Sequence, residues 1–364
     1  MFILDRKHVI ILRKRCIFKI ELIKWELILV TLKDIARECK VSFSTVSKAL
    51  KGSPEISHET TEFVQKKARE LGYHPNFAAR TLRTNRTYDI GLIFEEKTGV
   101  GLQHEYFASV ISGIQKVAFE KGYDITFVGG NSLQNYDYYS HSLARNYDGV
   151  AVLSCDFDSP GIVELLKSDV PTVTLDYSFS PQHSSVLSDS ATGVKELTEY
   201  VISMGHTKIA MIHGERTWVT EQRVDSFKKT CAEHGIQIPP EYFLEVLYHD
   251  AEGCAVATEK LLLLDEPPTC IFYPDDYASL GGIRELVNQN LRPGKDISVV
   301  GYDGINLTSM MNPPLTTYEQ NGKLIGKTMA DALFDQIEKG SMFTPQKKFI
   351  DGRVIKGGTV VKLN

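Results

Sequence analysis

Residues Thr31 to Leu50 read TLKDIARECKVSFSTVSKAL. Leu32, Ile35, Ala36 and Cys39 recur at spacings of three, four and seven, which puts them on one face of a short helix. Val41 and Ser42 interrupt that period. Ser42 is a good N-cap for a second helix, which carries Val46 and Leu50 on one face and ends near Gly52. A third helix is expected after Ser57, another capping residue, with Val64, Ala68 and Leu71 on its apolar face and Gly72 as its stop. Three short helices, the first two joined by a tight turn, make a small all-α bundle with a helix-turn-helix pattern. The second helix presents Phe43, Ser44, Ser47 and Lys48 opposite its apolar face. Ser and Lys donate to base edges and phosphates, whereas a merely solvated helix more often carries Glu and Lys pairs. A generic bundle with a polar surface is the plainer alternative on pattern alone.

Working outward, Pro75 to Leu82 holds Asn76, Phe77, Ala78, Ala79, Arg80 and Leu82, enough for one or two helical turns. A helix this short is marginal in water and needs a partner to order it. The chain has 364 residues, room for two or three domains, and its 41 Lys and Arg against 46 Asp and Glu leave a formal charge of −5. That total hides an asymmetry. Residues 1–29 carry seven basic and three acidic side chains, residues 30–88 eleven and six, and residues 89–364 carry 23 and 37. A basic front end joined to a strongly acidic body suggests a polyanion-binding module attached to something else.

Residues 1–29 contain no Gly, Pro, Ser, Thr or Ala, hence no turn or cap chemistry. They are expected to be an extension outside the domains, with Val30 as the true start of translation. Ten charges between Asp5 and Glu26 break this segment as a membrane span, and no small-residue cleavage site follows an apolar run. The six cysteines, Cys16, Cys39, Cys155, Cys231, Cys254 and Cys270, lie far apart with no metal or redox spacing. A cytoplasmic protein with no membrane segment and no metal site is expected.

Beyond Asp89 the rhythm changes. Apolar runs at Ile90–Phe94, Ile125–Val128, Val150–Leu153, Thr172–Leu175, Ile209–Ile212, Cys270–Tyr273 and Val299–Gly301 alternate with amphipathic segments, among them Tyr106–Lys121, Gly193–Met204, Glu221–His234 and Tyr277–Asn290. Continuous apolar strands alternating with helices mean parallel sheets covered on both faces. The length calls for two lobes of Rossmann-like topology, with a ligand held beyond the carboxyl ends of the strands, between the lobes.

The searches for enzyme motifs fail. No Gly-x-Gly-x-x-Gly follows a strand and no Gly-x-Ser-x-Gly occurs. Gly326, Lys327 and Thr328 spell the end of a phosphate loop, but Asn321 stands where its first glycine belongs. The adjacent Asp275 and Asp276 lack a histidine or third acid nearby for a metal and fit a strand-end turn or a hydroxyl-binding site instead. What remains is a set of polar groups at strand ends: Asp176, Asp275 and Asp303, joined by Arg223 early in its helix. Carboxylates and a guanidinium converging on one cleft can divide the donors and acceptors of a polyol among them. The alternative for each residue is a cap or a salt-bridge partner.

Taken together, these residues resemble the lactose-repressor (LacI/GalR) family of bacterial transcriptional regulators. The resemblance rests on Thr31 to Ala36, on Val41, Ser42, Thr45, Val46 and Ser47, and on Gly72, Tyr73, Pro75, Asn76, Ala79 and Leu82. Downstream it is carried by Gly205 and His206, Arg223 with Phe227, Asp276 with Gly281, Val299 to Asp303, and Pro314 to Thr317. It implies a helix-turn-helix head over residues 30–74, a hinge helix and linker over 75–88, and a two-lobed α/β body of the type I periplasmic-binding-protein kind over 89–364.

The resemblance also implies roles. Phe43, Ser44 and Lys48 face the major groove, where base edges present distinct donor and acceptor patterns. Thr31, Ser42, Thr45, Ser47 and Asn76 fix register on phosphates. The hinge, with Ala79 and Leu82, folds on the operator, and Leu82 wedges into the minor groove. Asp176, Arg223, Asp275 and Asp303 contact a small effector, expected to be a carbohydrate, whose capture changes DNA affinity. No catalytic residue and no cofactor is implied. With only five residues after Thr359, no heptad tail follows, so a homodimer on a pseudo-palindromic operator is expected.

Some positions depart from the family pattern. Lys40 stands at a turn position that is glycine in many relatives, and left-handed backbone there costs about 1 kcal/mol. Asp275 stands where asparagine is common, and Gly322 and Ala251 replace aromatics that line the lactose repressor's pocket. The main rival reading is a periplasmic sugar-binding protein of the same two-lobed fold, disfavoured by the helix-turn-helix and the missing signal peptide; an enzyme comes third.

Overall fold

The computed structural model describes residues 2–5, 8–13, 16–21, 30–50, 52–73, 81, 84, 86–95, 99–129, 137–178 and 181–363. It divides into two compact units, Met1–Arg80 and Thr81–Asn364.

The first unit begins with a three-stranded antiparallel sheet: β1 (Phe2–Asp5), β2 (His8–Arg13) and β3 (Cys16–Glu21), with Ile3 opposite Ile10 and Ile11 opposite Phe18. The sequence reading assigned no element here, although Ile, Val and Phe are strand-favouring types. Then come α1 (Leu32–Cys39), α2 (Phe43–Leu50) and α3 (His58–Glu70). Each start has a chemical cause. Thr31 and Asp34 form a reciprocal capping box, Ser42 Oγ accepts from the Thr45 amide at 3.0 Å, and Ser57 Oγ accepts from Thr60 at 3.3 Å. Lys40 closes α1 in the left-handed conformation, φ 53°, with its N–H returning to the Ala36 and Arg37 carbonyls. That conformation costs about 1 kcal/mol for a non-glycine residue, which the helix docking must offset. The core is Ile35, Cys39, Val46, Ala49, Val64 and Ala68. Leu50 and Leu71, expected on the apolar faces, are partly buried against it, and Ala49 takes the central place beside Val46.

The second unit is a two-lobed α/β body. The first lobe is a six-stranded parallel sheet in the order β14-β8-β7-β6-β4-β5, formed by β4 (Asp89–Phe94), β5 (Asp124–Phe127), β6 (Gly149–Ser154), β7 (Thr172–Leu175), β8 (Ser184–Ser188) and β14 (Lys347–Ile350). Helices α4 (Glu105–Glu120), α5 (Tyr138–Arg145) and α6 (Pro160–Lys167) connect its strands. The second lobe is a four-stranded parallel sheet in the order β10-β9-β11-β12, from β9 (Ile209–His213), β10 (Phe243–Glu245), β11 (Cys270–Phe272) and β12 (Ser298–Val300). It is wrapped by α7 (Ser190–Ser203), α8 (Trp218–Glu233), α9 (Ala251–Leu262) and α10 (Asp276–Asn288), followed by the short α11 (Asn306–Met310). An antiparallel pair, β13 (Thr317–Glu319) with β15 (Arg353–Ile355), lies beside it.

The chain does not finish one lobe before starting the other. After β13 it returns as α12 (Gly322–Lys339), whose Ile325, Met329, Leu333 and Phe334 join Ile90, Val110 and Ile114 in the first lobe's core. A Cβ on Gly326 would lie 1.9 Å from the Val110 carbonyl, and one on Gly113 2.4 Å from that of Lys323. The run Gly326-Lys327-Thr328 is therefore a close helix crossing; Lys327 pairs with Asp331 on the surface.

Candidate DNA-reading helix and effector cleft

In the first unit, Ser42, Phe43 and Ser44 are exposed at the start of α2, Phe43 by 49%. Thr45, Ser47 and Lys48 are half-buried along the helix. The Ser42 and Thr45 hydroxyls lie 2.8 Å apart, and Lys48 Nζ pairs with Glu55 on the surface. Thr31 Oγ1 donates to Asp34 Oδ2 at 2.6 Å, which together with the Thr31 amide lowers the Asp34 pKa. Thr31 is thus a helix cap by its own geometry, an arrangement that leaves its exposed position facing solvent. Asn76, Ala79 and Leu82 lie outside the described residues.

In the second unit the three strand-end carboxyls and Arg223 come together: the Arg223 charge acts on Asp176, Asp275 and Asp303. Asp176 follows β7 with φ 51°, and its Oδ1 accepts from the Ser188 amide at 2.7 Å and the Ser188 hydroxyl at 2.9 Å. Burial pushes its pKa up to about 6 against those bonds and the attraction of Arg223. Asp275 caps α10: Oδ1 accepts from the Ala278 amide at 2.8 Å and Oδ2 from the His249 amide at 2.7 Å. Its pKa is raised by burial, opposed by these two bonds and by the charges of His249 and Arg223. Asp303 follows β12 with φ 113°, and its Oδ1 accepts from Gln320 Nε2 at 2.7 Å. Its pKa is pushed up to about 7, by burial first and by the Asp275 charge second.

Arg223 is only 7% exposed, on the second turn of α8. Its Nη1 donates to the Pro274 carbonyl at 3.1 Å and its Nε to Ser190 Oγ at 3.4 Å, while its guanidinium lies 3.7 Å over the Tyr302 ring. Burial opposes its charge, yet Tyr248, Tyr302, Asp303 and Asp176 together hold it above the ordinary guanidinium range. So Arg223 and Asp275 are partly committed to structure, whereas Asp176 and Asp303 keep acceptor capacity.

Tyr106 and Gln320 escaped the reading of the sequence, and Asp276 entered it only as the neighbour of Asp275. Tyr106, at the start of α4, is buried with its hydroxyl taking no hydrogen bond; burial first, then the charges of Asp176 and Asp303, raise its pKa. Gln320 directly follows β13, a three-residue strand too short for periodicity to detect, although a polar residue after a strand was the available signal. Asp276 is fully buried; its Oδ1 accepts from Thr317 Oγ1 at 2.6 Å and its Oδ2 from the Ile305 amide at 2.9 Å. The lobes meet around these groups. The His104 ring of the first lobe stacks 4.4 Å from the His249 ring of the second, the Asn306 amide donates to Glu105 Oε1 at 2.8 Å, and Lys347 Nζ lies 6.0 Å from the Trp218 ring. Among the described residues no cluster of three metal-ligating side chains is present, and no helix is long and apolar enough to cross a membrane.

Residues 31–76 match the model of bacterial regulatory proteins of the lacI family, and residues 198–360 match that of a periplasmic binding protein-like domain. A Bacillus subtilis (strain 168) protein named "Probable HTH-type transcriptional repressor ExuR" is 33% identical over 314 residues, 85% of this chain and 92% of that one. The HTH-type transcriptional repressor PurR of Vibrio vulnificus (strain CMCP6) is 31% identical over the same shares. In fold, the chain is similar to a lac repressor dimer bound to operator and the anti-inducer ONPF, with TM-score 0.78 and 24% identity, covering 92% of this chain and 99% of that one. The chain belongs to the lacI family of bacterial regulatory proteins: it is a sequence-specific DNA-binding transcriptional regulator with a two-lobed ligand-binding body, and not an enzyme.

Proposed function

We propose that this regulator is a repressor that binds a pseudo-palindromic operator in double-stranded DNA as a homodimer. In this reading it acts in the cytoplasm and sets its operator affinity through a carbohydrate or sugar derivative held between the lobes. One observation supports the ligand class above others. Among the described residues the second oxygens of Asp176 and Asp303, Gln320 Oε1 and the Tyr106 hydroxyl take no hydrogen bond, and Arg223 supplies a fixed charge beside them. Three acceptors and a hydroxyl around one guanidinium suit a small molecule rich in hydroxyl groups, because buried polar atoms need partners. Phe43, Ser44 and Lys48 would read base edges; Thr31, Ser42, Thr45, Ser47 and Asn76 would hold phosphates; and Ala79 and Leu82 would form the hinge that opens the minor groove.

The test has two arms. A thermal-shift screen of the full chain against sugars, sugar phosphates and purines should single out a sugar, since a cleft ligand stabilises by mass action. Trp218, the first residue of α8, whose ring lies 6.0 Å from the first lobe's Lys347 Nζ, gives a fluorescence signal for the same event. Anisotropy with DNA from the regulator's own promoter should then show binding that weakens steeply with salt and changes with that sugar. No preference over random DNA, with or without sugars, sinks the repressor reading. Sedimentation of the protein at protomer mass on operator DNA sinks the dimer.

A further inference from the structure

Three carboxyl groups meet at one end of the second lobe's sheet, and the backbone holds them there. The Asp276 amide donates to the Tyr302 carbonyl at 2.7 Å, and the Asp276 carboxyl accepts from the Ile305 amide at 2.9 Å. Asp276 thus grips the turn on both sides of Asp303, and Asp275, the preceding residue, caps the same helix. Asp275, Asp276 and Asp303 are 2%, 0% and 8% exposed. The groups facing this cluster are Arg223 from α8, Gln320 and Thr317 from the β13 segment, Tyr302 beside Asp303, Tyr106 from α4, Tyr248 and His249 from the turn before α9, and Cys254 from α9. Arg223 is the fixed positive charge in that set, and it bonds a carbonyl and a hydroxyl rather than a carboxylate. Three buried carboxylates beside one shared guanidinium repel each other, and such sites relieve the repulsion by keeping a proton.

We infer that the Asp275–Asp276–Asp303 cluster retains a proton in the empty cleft at neutral pH and gives it up when hydroxyl donors of a neutral sugar reach Asp303. The inference rests on the carbohydrate reading above and adds its regulation: the regulator senses its effector and the ambient proton concentration as one variable. With Asp303 Oδ1 taken by Gln320, the second oxygen accepts ligand hydroxyls only when it carries no proton, so capture and proton release are linked. The direction at each member agrees. Burial and the Asp275 charge push Asp303 up to about 7, and burial and the Asp303 charge push Asp276 well above the ordinary carboxylate range.

The sign for stability follows. A carboxyl whose folded pKa lies above its unfolded value of about 3.9 stabilises the fold most at low pH, and that contribution is lost as pH rises toward 7. Relative to Asp303→Asn, the unfolding constant of the unliganded wild type should climb about tenfold per pH unit between about pH 5 and 6.5. Parallel curves overturn the inference. Should Asp303→Asn not fold, carboxyl-13C aspartate spectra of the wild-type chain, compared with those of Asp176→Asn, decide the matter, because an aspartate other than Asp176, itself pushed up to about 6, must titrate near neutrality. If every aspartate carboxyl except that of Asp176 titrates below about pH 5, the cluster holds no proton.

For the coupling, D-ribose, D-glucose and D-galactose serve as probes by calorimetry at pH 5.5 and 6.5. The sugar that binds should do so about tenfold more tightly at the higher pH, with a proton released. Equal affinity overturns the coupling. Binding by none of the sugars, with a titrating aspartate in the spectra, instead overturns the carbohydrate reading on which the coupling rests.

Discussion

The head and the body place their polar side chains in opposite settings. On α2, Ser42, Phe43 and Ser44 stand in solvent, carried by a core of six small or medium side chains. In the body, Arg223, Asp275, Asp276 and Asp303 are nearly sealed from water between two sheets. The contrast follows from what each can meet. A duplex is large and already charged, so a surface that keeps its water until contact suffices, and long-range attraction to phosphates favours the basic side of the chain. The small neutral molecule proposed for the body would offer no such field; it would be recognised only if the site has removed its own water and left polar atoms in want of partners. The excess of acids over bases in the body, 37 against 23, fits a region with no duplex to attract.

The largest expected effect tests whether head and body are energetically separate. Ile35→Ala empties the centre of the head's small core and should cost about 2–5 kcal/mol, enough to unfold it. Operator binding should vanish while the body's calorimetric transition keeps its temperature. If both units lose stability together, the contrast drawn above is wrong. Next in size, Arg223→Ala removes a buried guanidinium from the cleft and should weaken sugar binding about 100-fold, a loss near 3 kcal/mol, with operator affinity unchanged. An unaltered calorimetric isotherm would take Arg223 out of the site.

Phe43→Ala and Ser44→Ala should each reduce preference for operator over random DNA by about 1–3 kcal/mol in anisotropy titrations, without moving the body's response to sugar. A uniform loss on both DNAs would make these residues backbone contacts instead. The smallest effect is at Thr31→Ala, where loss of the capping box should lower head stability by about 1 kcal/mol, read as a small drop in the head's melting temperature. A larger loss of operator affinity than the melting shift explains would point to a phosphate contact beyond the cap.

The same contrast explains which parts could be read from the residues alone. The second and third helix starts in the head were legible because Ser42 and Ser57 announce them chemically, and their hydroxyls do cap as expected, whereas the capping box of Thr31, read only as a phosphate contact, was not foreseen. The body's buried strands were legible as apolar runs, Thr172–Leu175 to the residue. Beginnings of helices were less so: α8 starts at Trp218 because Thr217 accepts from the Thr220 amide, three residues ahead of the expected Glu221. Strand β8, SSVLS, is fully buried yet mostly serine, so hydrophobicity could not reveal it. Asp176, Asp275 and Asp303 could be picked out as candidates because a residue after a parallel strand lies at the end of the sheet where ligands bind. Tyr106 and Gln320 come from a helix start and a three-residue strand that carry no such rule, and Asp276 looked like a mere neighbour of Asp275. Its grip on the Asp303 turn depends on backbone bonds that no spacing encodes.

The return of α12 into the first lobe bears on how the molecule is made. Ile325, Met329, Leu333 and Phe334 complete a core that Ile90 and Leu92 begin, more than two hundred residues earlier in synthesis. The head can close as soon as residue 73 leaves the ribosome, since all its core partners lie within a few dozen residues. The first lobe must wait, with an open apolar face, until nearly the whole chain has emerged. During that interval a finished DNA-binding head is tethered to an unfinished sensor, and the exposed sheet is the point at which a chaperone has most to protect.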